Sequence, residues 1–136
     1  MPDTLIRKPA RGNLALPNLT DYAATCASFS WAMERQTLRG LPGGGLNIAF
    51  EAIDRHVQNG RGGQVALRCL SRSDVVHEFT YVELGAETSR FANVLSALGI
   101  KPGERVFSLL GRVPELYVTA LGTLKAGAVF CPMFLA

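Results

Sequence analysis

Apolar residues run almost unbroken in two short stretches near the C-terminus, "RVFSLL" at 105–110 and "AVFCPMF" at 128–134. Such runs mark strands buried on both faces of a parallel sheet. Between them Leu116, Tyr117, Ala120, Leu121 and Leu124 recur at helical spacing. Pro114 suits a first helical position and Gly127 a helix end. The pattern predicts strands over 105–110 and 128–133 around a helix over 113–126, with the strands parallel and the crossover right-handed. Pro132, which has no amide to donate, should end regular pairing. Gly122 inside the helical stripe costs up to about 1 kcal/mol against alanine, so a close approach of helix to sheet is expected there.

Upstream the period changes. "QVALRCL" and "VVHEFTY" are rich in strand formers and flank the polar turn "SRSD", which predicts a hairpin with strands over 64–70 and 75–79. Thr80 and Glu83 form the T-x-x-E of a capping box, with Phe79 and Leu84 as its hydrophobic staple. Leu84, Phe91, Val94, Leu95 and Leu98 then line one face of a helix over 80–98 that stops at Gly99, before Pro102. "KPGE" suits a type II turn. Nearer the N-terminus, Asn47 caps a predicted helix over 47–58 whose face is Ile48, Ala52, Ile53 and Val57. Thr20 caps another over 20–38, with Tyr22, Ala23, Cys26, Phe29 and Met33 at helical spacing. Gly43, Gly44 and Gly45 separate the two, and a loop-like "RKPARGNLALPN" precedes them.

Composition narrows the chemistry. The chain has 136 residues, enough for one ordinary domain, and is 48% hydrophobic and 18% charged, as folded proteins are. Its net charge of +3 is spread along the chain without a basic run, which argues against a nucleic-acid partner. No apolar stretch is long enough to span a bilayer, and the first residues carry no secretory h-region. Cys26, Cys69 and Cys131 are far apart and odd in number, a poor basis for a zinc site or a disulfide framework. Cys69 and Cys131 read as small buried hydrophobes inside strands. A cytoplasmic setting is expected.

Few residues carry a reaction. His56 follows Asp54 and Arg55 at a predicted helix end, where a cation suits the dipole, and His77 falls on the polar phase of a strand. The loop "NGRGGQ" has the glycines of a phosphate cradle without the lysine and hydroxyl of a P-loop, and reads as a surface connection. Gly111-Arg112 lies past the carboxyl end of a predicted parallel strand and before a helix. Arg112 is therefore the one weak anion-site candidate, against the alternative of solvated surface. No catalytic residue and no metal ligand is assigned.

The stretch from Phe79 to Phe134 resembles the opening of the large domain of adenylate-forming acyl-CoA synthetases. The resemblance rests on Thr80-Tyr81 with Glu83-Leu84, Asn93, Leu98-Gly99, Pro102 to Val106, Pro114-Glu115 and Leu124 to Ala128. Phe29-Ser30-Trp31 and the "LN…DRH" residues Asn47, Asp54, Arg55 and His56 resemble the N-terminal extension of the acetyl-CoA synthetase branch. The resemblance implies an incomplete α/β fold. An extension over 1–60 precedes the first βαβ part of the large domain, begun at 61–136 and truncated.

It also implies an AMP-forming acetate–CoA ligase that uses ATP, CoA and Mg²⁺ to make acetyl-CoA through acetyl-adenylate. The family's phosphate loop, its residues around AMP and ribose and its mobile-domain lysine lie on motifs not found in these residues. The chain is therefore expected to be the front of a several-fold longer enzyme and inactive alone. A shortened non-catalytic paralogue acting as an interaction module is the competing expectation. A standalone nucleotide binder is disfavoured by the missing glycine fingerprint. One crossover helix covers one face of a sheet, so the other face and an edge should be bare. Poor stability and self-association through the uncovered sheet are expected.

Overall fold

The computed structural model describes residues 19–133. The loop reading of residues 7–18 and the end of the last apolar run at Phe134 lie outside the described residues. The chain divides into two compact units, Met1–Gln36 and Thr37–Ala136.

In the first unit the helix expected over 20–38 is two short ones, α1 (Tyr22–Ser28) and α2 (Trp31–Thr37). Asp21, not Thr20, is the cap of α1, its carboxylate accepting from the Ala24 amide at 2.9 Å. The break falls at Phe29, whose ψ of 134° is extended. Across it the Phe29 and Trp31 rings meet edge to face at 5.0 Å. Tyr22, Cys26, Phe29 and Met33 are exposed, so the expected apolar face buries nothing within the described residues. Helical spacing survives only where backbone geometry does, and the break resets the phase.

The second unit starts with a glycine turn at Gly43–Gly45, all three at positive φ. It leads into a helical rod over 48–61, wound as π-helix at Phe50–Asp54 and broken near its end at Gly60, whose φ of 78° is not helical. Asn47 caps it as expected, its Oδ1 accepting from the Ala49 and Phe50 amides at 2.9 and 3.2 Å. The winding is wider there, the Arg55 amide donating to the Phe50 carbonyl. Ala49, Phe50 and Ile53 are buried, while Ile48 and Ala52, expected on the inner face, are exposed.

β1 (Val65–Leu70) and β2 (Val76–Thr80) form the expected antiparallel hairpin, with a register irregularity between Val65 and Leu67. Cys69 is only half-buried there. Then α3 (Tyr81–Ala97) opens on the predicted capping box. Glu83 N–H donates to Thr80 Oγ1, and the Thr80 amide donates to the Glu83 carboxylate at 2.8 Å. Its buried face is Leu84, Gly85, Thr88 and Leu95. Val94 and Leu98, expected to be inside, stand 52% and 72% exposed. Gly99 ends the helix at φ +83°, as its position demanded.

β3 (Arg105–Ser108) and β4 (Val129–Pro132) pair in parallel around α4 (Pro114–Lys125), as the parallel reading of the two runs expected. β3 stops at Ser108, two residues short of expectation, and leaves Leu109 and Leu110 in the connection. Regular pairing runs to Pro132, and the Met133 amide still donates to the Ser108 carbonyl at 2.8 Å, so the donor that proline lacks is one that would face away from β3. Gly122 does sit in a tight contact, but with α3 rather than the sheet. A Cβ there would stand 2.9 Å from both the Thr88 carbonyl oxygen and Phe91 Cδ1.

Two carboxylates stitch these pieces through backbone amides, and both are held below the ordinary carboxylate range. For Glu51 the main cause is the Gly40 amide, which donates to it at 2.7 Å; for Glu83 it is the Thr80 amide. A depressed folded-state pKa adds stability that is present above the unfolded value, about 4.3, and is lost as pH falls through the folded value. The thermal midpoint of the wild-type chain should therefore drop below about pH 4.5, and that of a Glu51→Gln/Glu83→Gln double variant should drop less. Parallel midpoint-against-pH curves between pH 6 and 3 would contradict this.

Candidate functional site

The two places where glycine and helix geometry could have made an anion site are built otherwise. The 60–63 loop turns carbonyls, not amides, toward its neighbour. Gly62 and Gln64 accept from the Val82 and Tyr81 amides, both at 3.0 Å. Together with Thr80 they satisfy the first three amides of α3, groups that would otherwise be open to an anion. The loop is thus a connection that clamps a helix start. Gly62 has no room for a side chain, since a Cβ would meet Val82 Cγ2 at 2.7 Å.

Arg112 lies exposed in the connection from β3 to α4. Beside it, the Val113 amide is turned back to the Gly111 carbonyl at 3.0 Å, and Pro114 takes the first position of α4 with no amide to offer. Glu115 adds a negative charge in that first turn. Among the described residues Arg112 is thus an exposed guanidinium beside a helix start whose cap amide is bonded and whose first residue is proline. Among them there is also no cluster of three or more His, Cys, Asp or Glu side chains able to hold a metal ion.

Several residues singled out by sequence meet at a junction instead. Asn47 Nδ2 donates to the Leu124 carbonyl at 2.7 Å across 77 positions of chain. Lys125 Nζ donates to Asp54 Oδ1 at 2.9 Å and to Ser89 Oγ at 3.1 Å, with the Gly85 carbonyl at 3.4 Å. Lys125 lies at the end of α4, where a cation also suits the helix dipole. The "LN…D" residues and the "LK" of "LKAGA" are therefore two halves of one latch, holding the 48–61 rod against α3 and α4.

Shallow grooves of about 280 and 400 Å³ flank the latch, the first beside Asp54 and Gly85 and the second beside Asn93 and Lys125. His56 is not at a helix end, as expected, but inside the rod, tilted on the Tyr81 ring at 4.8 Å. His77 is exposed opposite Cys69, as its polar phase required. Sequence reasoning missed Lys125 as a buried-end cation, because lysines in last helical turns are usually solvated.

Solved structures superpose on this fold. An acyl-CoA synthetase from Brucella canis superposes with a TM-score of 0.76 at 36% identity, over 85% of this chain and 21% of that one. Apo MatB from Rhodopseudomonas palustris superposes at 0.56 with 28% identity, over 66% and 16%. The fold is thus part of an adenylate-forming acyl-CoA synthetase fold. The family model of the AMP-binding enzymes matches residues 53–136, and the chain belongs to that family.

Among curated relatives, the acetyl-coenzyme A synthetase of Bacillus subtilis is 38% identical over 120 residues, or 86% of this chain and 20% of that protein. A 3-hydroxybenzoate/4-hydroxybenzoate–CoA ligase of Thauera aromatica is 44% identical over 84 residues, 62% of this chain and 15% of that protein. The chain spans about a fifth of the length of such relatives. No helix among the described residues is long and apolar enough to cross a membrane.

Proposed function

We propose that this chain is the N-terminal segment of an AMP-forming acetate–CoA ligase, which makes acetyl-CoA from acetate, ATP and CoA through acetyl-adenylate with Mg²⁺. The observation that carries the proposal is the reach of the acetyl-coenzyme A synthetase matches. The longer of them, at 83–86% of the chain, extend well upstream of Ile53, where the family model begins. The hydroxybenzoate ligase match covers less of the chain at higher identity, which supports a common large-domain frame rather than a common acid. The segment's own work on this reading is structural. The part we assign to the extension, 1–60, brings Asn47 and Asp54 to the latch. The part we assign to the large domain, 61–136, supplies α3, the crossover and Lys125. The substrate is then a short carboxylic acid, the setting cytoplasmic, and neither nucleic acid nor membrane is a partner.

Alone, the segment is expected to be inactive. Phosphoryl chemistry relies on cations and loops positioned around the phosphates. Here the 60–63 loop presents carbonyls and Arg112 stands at a helix start led by proline. A chimera tests both statements. These residues replace the equivalent front of the Bacillus subtilis enzyme, and acetate-dependent exchange of pyrophosphate into ATP is measured beside the 136-residue chain. Exchange by the chimera and none by the chain is expected. A folded chimera that has lost exchange would overturn the assignment, and exchange by the chain alone would overturn its inactivity. The second reading, a non-catalytic paralogue acting as an interaction module, is favoured by one feature only, the bare face of the β3–β4 pair.

A further inference from the structure

The second unit begins on a stretch that buries no apolar side chain. Residues 38–46, between α2 and the rod, form no helix or strand, and Leu38, Leu41 and Leu46 are all exposed. What holds the stretch to the rod is polar. Glu51 Oε1 accepts from the Gly40 amide at 2.7 Å, and Glu51 Oε2 accepts from Arg55 Nη1 at 2.9 Å. The same guanidinium nitrogen donates to the Thr37 carbonyl at 2.9 Å. One ion pair on successive turns of the rod thus grips two backbone groups of the passing chain. A further bond, from Arg39 Nη1 to Asn59 Oδ1 at 3.2 Å, is exposed, and water competes for it.

Downstream the stretch turns on itself, the Leu41 amide donating to the Gly45 carbonyl and the Gly44 amide to the Leu41 carbonyl, both at 3.0 Å. At Gly43, Gly44 and Gly45 no atom beyond the chain neighbours lies within 4 Å of the place a Cβ would take, so nothing packs on the turn. Just past it Asn47 is fixed, tied to the first amides of the rod and to the Leu124 carbonyl. A groove of about 410 Å³ runs between stretch and rod, with Leu38 and Leu46 on one wall and Ile48, Glu51, Ala52 and Arg55 on the other.

We propose that residues 38–46 are a strap that opens off the rod as a unit, turning at Gly43–Gly45, with the Glu51–Arg55 pair as its clasp. Glycines that nothing packs on absorb the change in φ and ψ at such a turn. With no apolar burial in the strap, the clasp sets how often it is closed, through bonds to an ionised carboxylate that is itself only 13% exposed. Opening widens the groove. The latch and the contact of α3 with α4 stay closed, because no residue of the strap takes part in either.

Amide exchange of the 136-residue chain in rising, sub-denaturing urea tests the opening. An amide freed by local opening exchanges at a rate that urea barely changes, since little surface is uncovered, whereas one freed by global unfolding follows the full urea slope. The Gly40 amide should show the first behaviour, and the Thr88 amide, in the buried middle of α3, the second. Trypsin at low concentration, where cleavage tracks the open population, tests the clasp. Glu51→Ala should raise cleavage after Arg39 at least about tenfold relative to cleavage after Arg72, which is exposed in the hairpin turn. Glu51→Gln, which still accepts from the Gly40 amide but carries no charge, should fall between the two. A Gly40 amide sharing the urea slope of Thr88 would overturn the strap, which would then open only with the whole protein. An unchanged ratio of Arg39 to Arg72 cleavage in Glu51→Ala would overturn the clasp. So would a rise shared by Arg90 and Arg105, inside α3 and β3, since Glu51 would then support the whole fold rather than the strap.

Discussion

Gly122→Ala is expected to destabilise the protein, although helix propensity alone predicts a gain of about 1 kcal/mol from the same change. The added methyl would stand 2.9 Å from the Thr88 carbonyl oxygen and from Phe91 Cδ1. The first of these atoms is backbone in the middle of α3, so relief requires the two helices to part rather than a side chain to turn. Overpacking of this kind costs roughly 1–3 kcal/mol, which outweighs the propensity gain. Gly122→Leu should cost more than the alanine change and approach the whole margin of a small domain, about 5 kcal/mol at the low end. Urea denaturation of the three proteins decides the matter. An alanine variant at least as stable as wild type would mean that α3 and α4 are not held at this distance.

Ile53→Ala carries the second large effect. Ile53 is 1% exposed, and its Cγ2 would stand 3.4 Å from a Cβ at Gly85, so it fills the seam between the 48–61 rod and α3. Truncating a buried isoleucine removes transfer energy and leaves a cavity, about 2–5 kcal/mol together. The informative control is Ile48→Ala. Ile48 lies five residues before Ile53, about 140° away around a helix of 3.6 residues per turn, and is 66% exposed, so its truncation should fall within about 0.5 kcal/mol of wild type. Equal losses at both positions in chemical denaturation would show that the buried face of the rod has been assigned wrongly.

The local devices were legible because each is enforced within a few residues. Thr80 and Glu83 can cap only the helix that begins at Tyr81, Gly99 and Gly103 take positive φ where a stop and a type II turn need it, and Pro114 starts α4. The parallel pairing of β3 and β4 was legible too, since two apolar runs around one helix leave a single handed crossover. The bare sheet face followed from the same count of layers. The family was legible in the residues that build these devices, because they are spaced along the chain in one register.

What the sequence could not determine is which of two apolar positions faces inward, and which distant groups meet. Val94 and Leu98 fit the stripe of α3 as well as Leu95 does, but α4 and the rod cover only the Leu84–Thr88–Leu95 side. Ile48 and Ala52 lost their place to Ala49 and Phe50 because those two lie on the same side as the buried Ile53 at helical spacing. Nothing in a linear pattern pairs Asp54 with Lys125 or Asn47 with Leu124, contacts made across 71 and 77 positions. Those contacts exist because three helical elements converge on the end of α4. Burial and long-range hydrogen bonding belong to the assembled layers, whereas caps, turns and crossover belong to the chain.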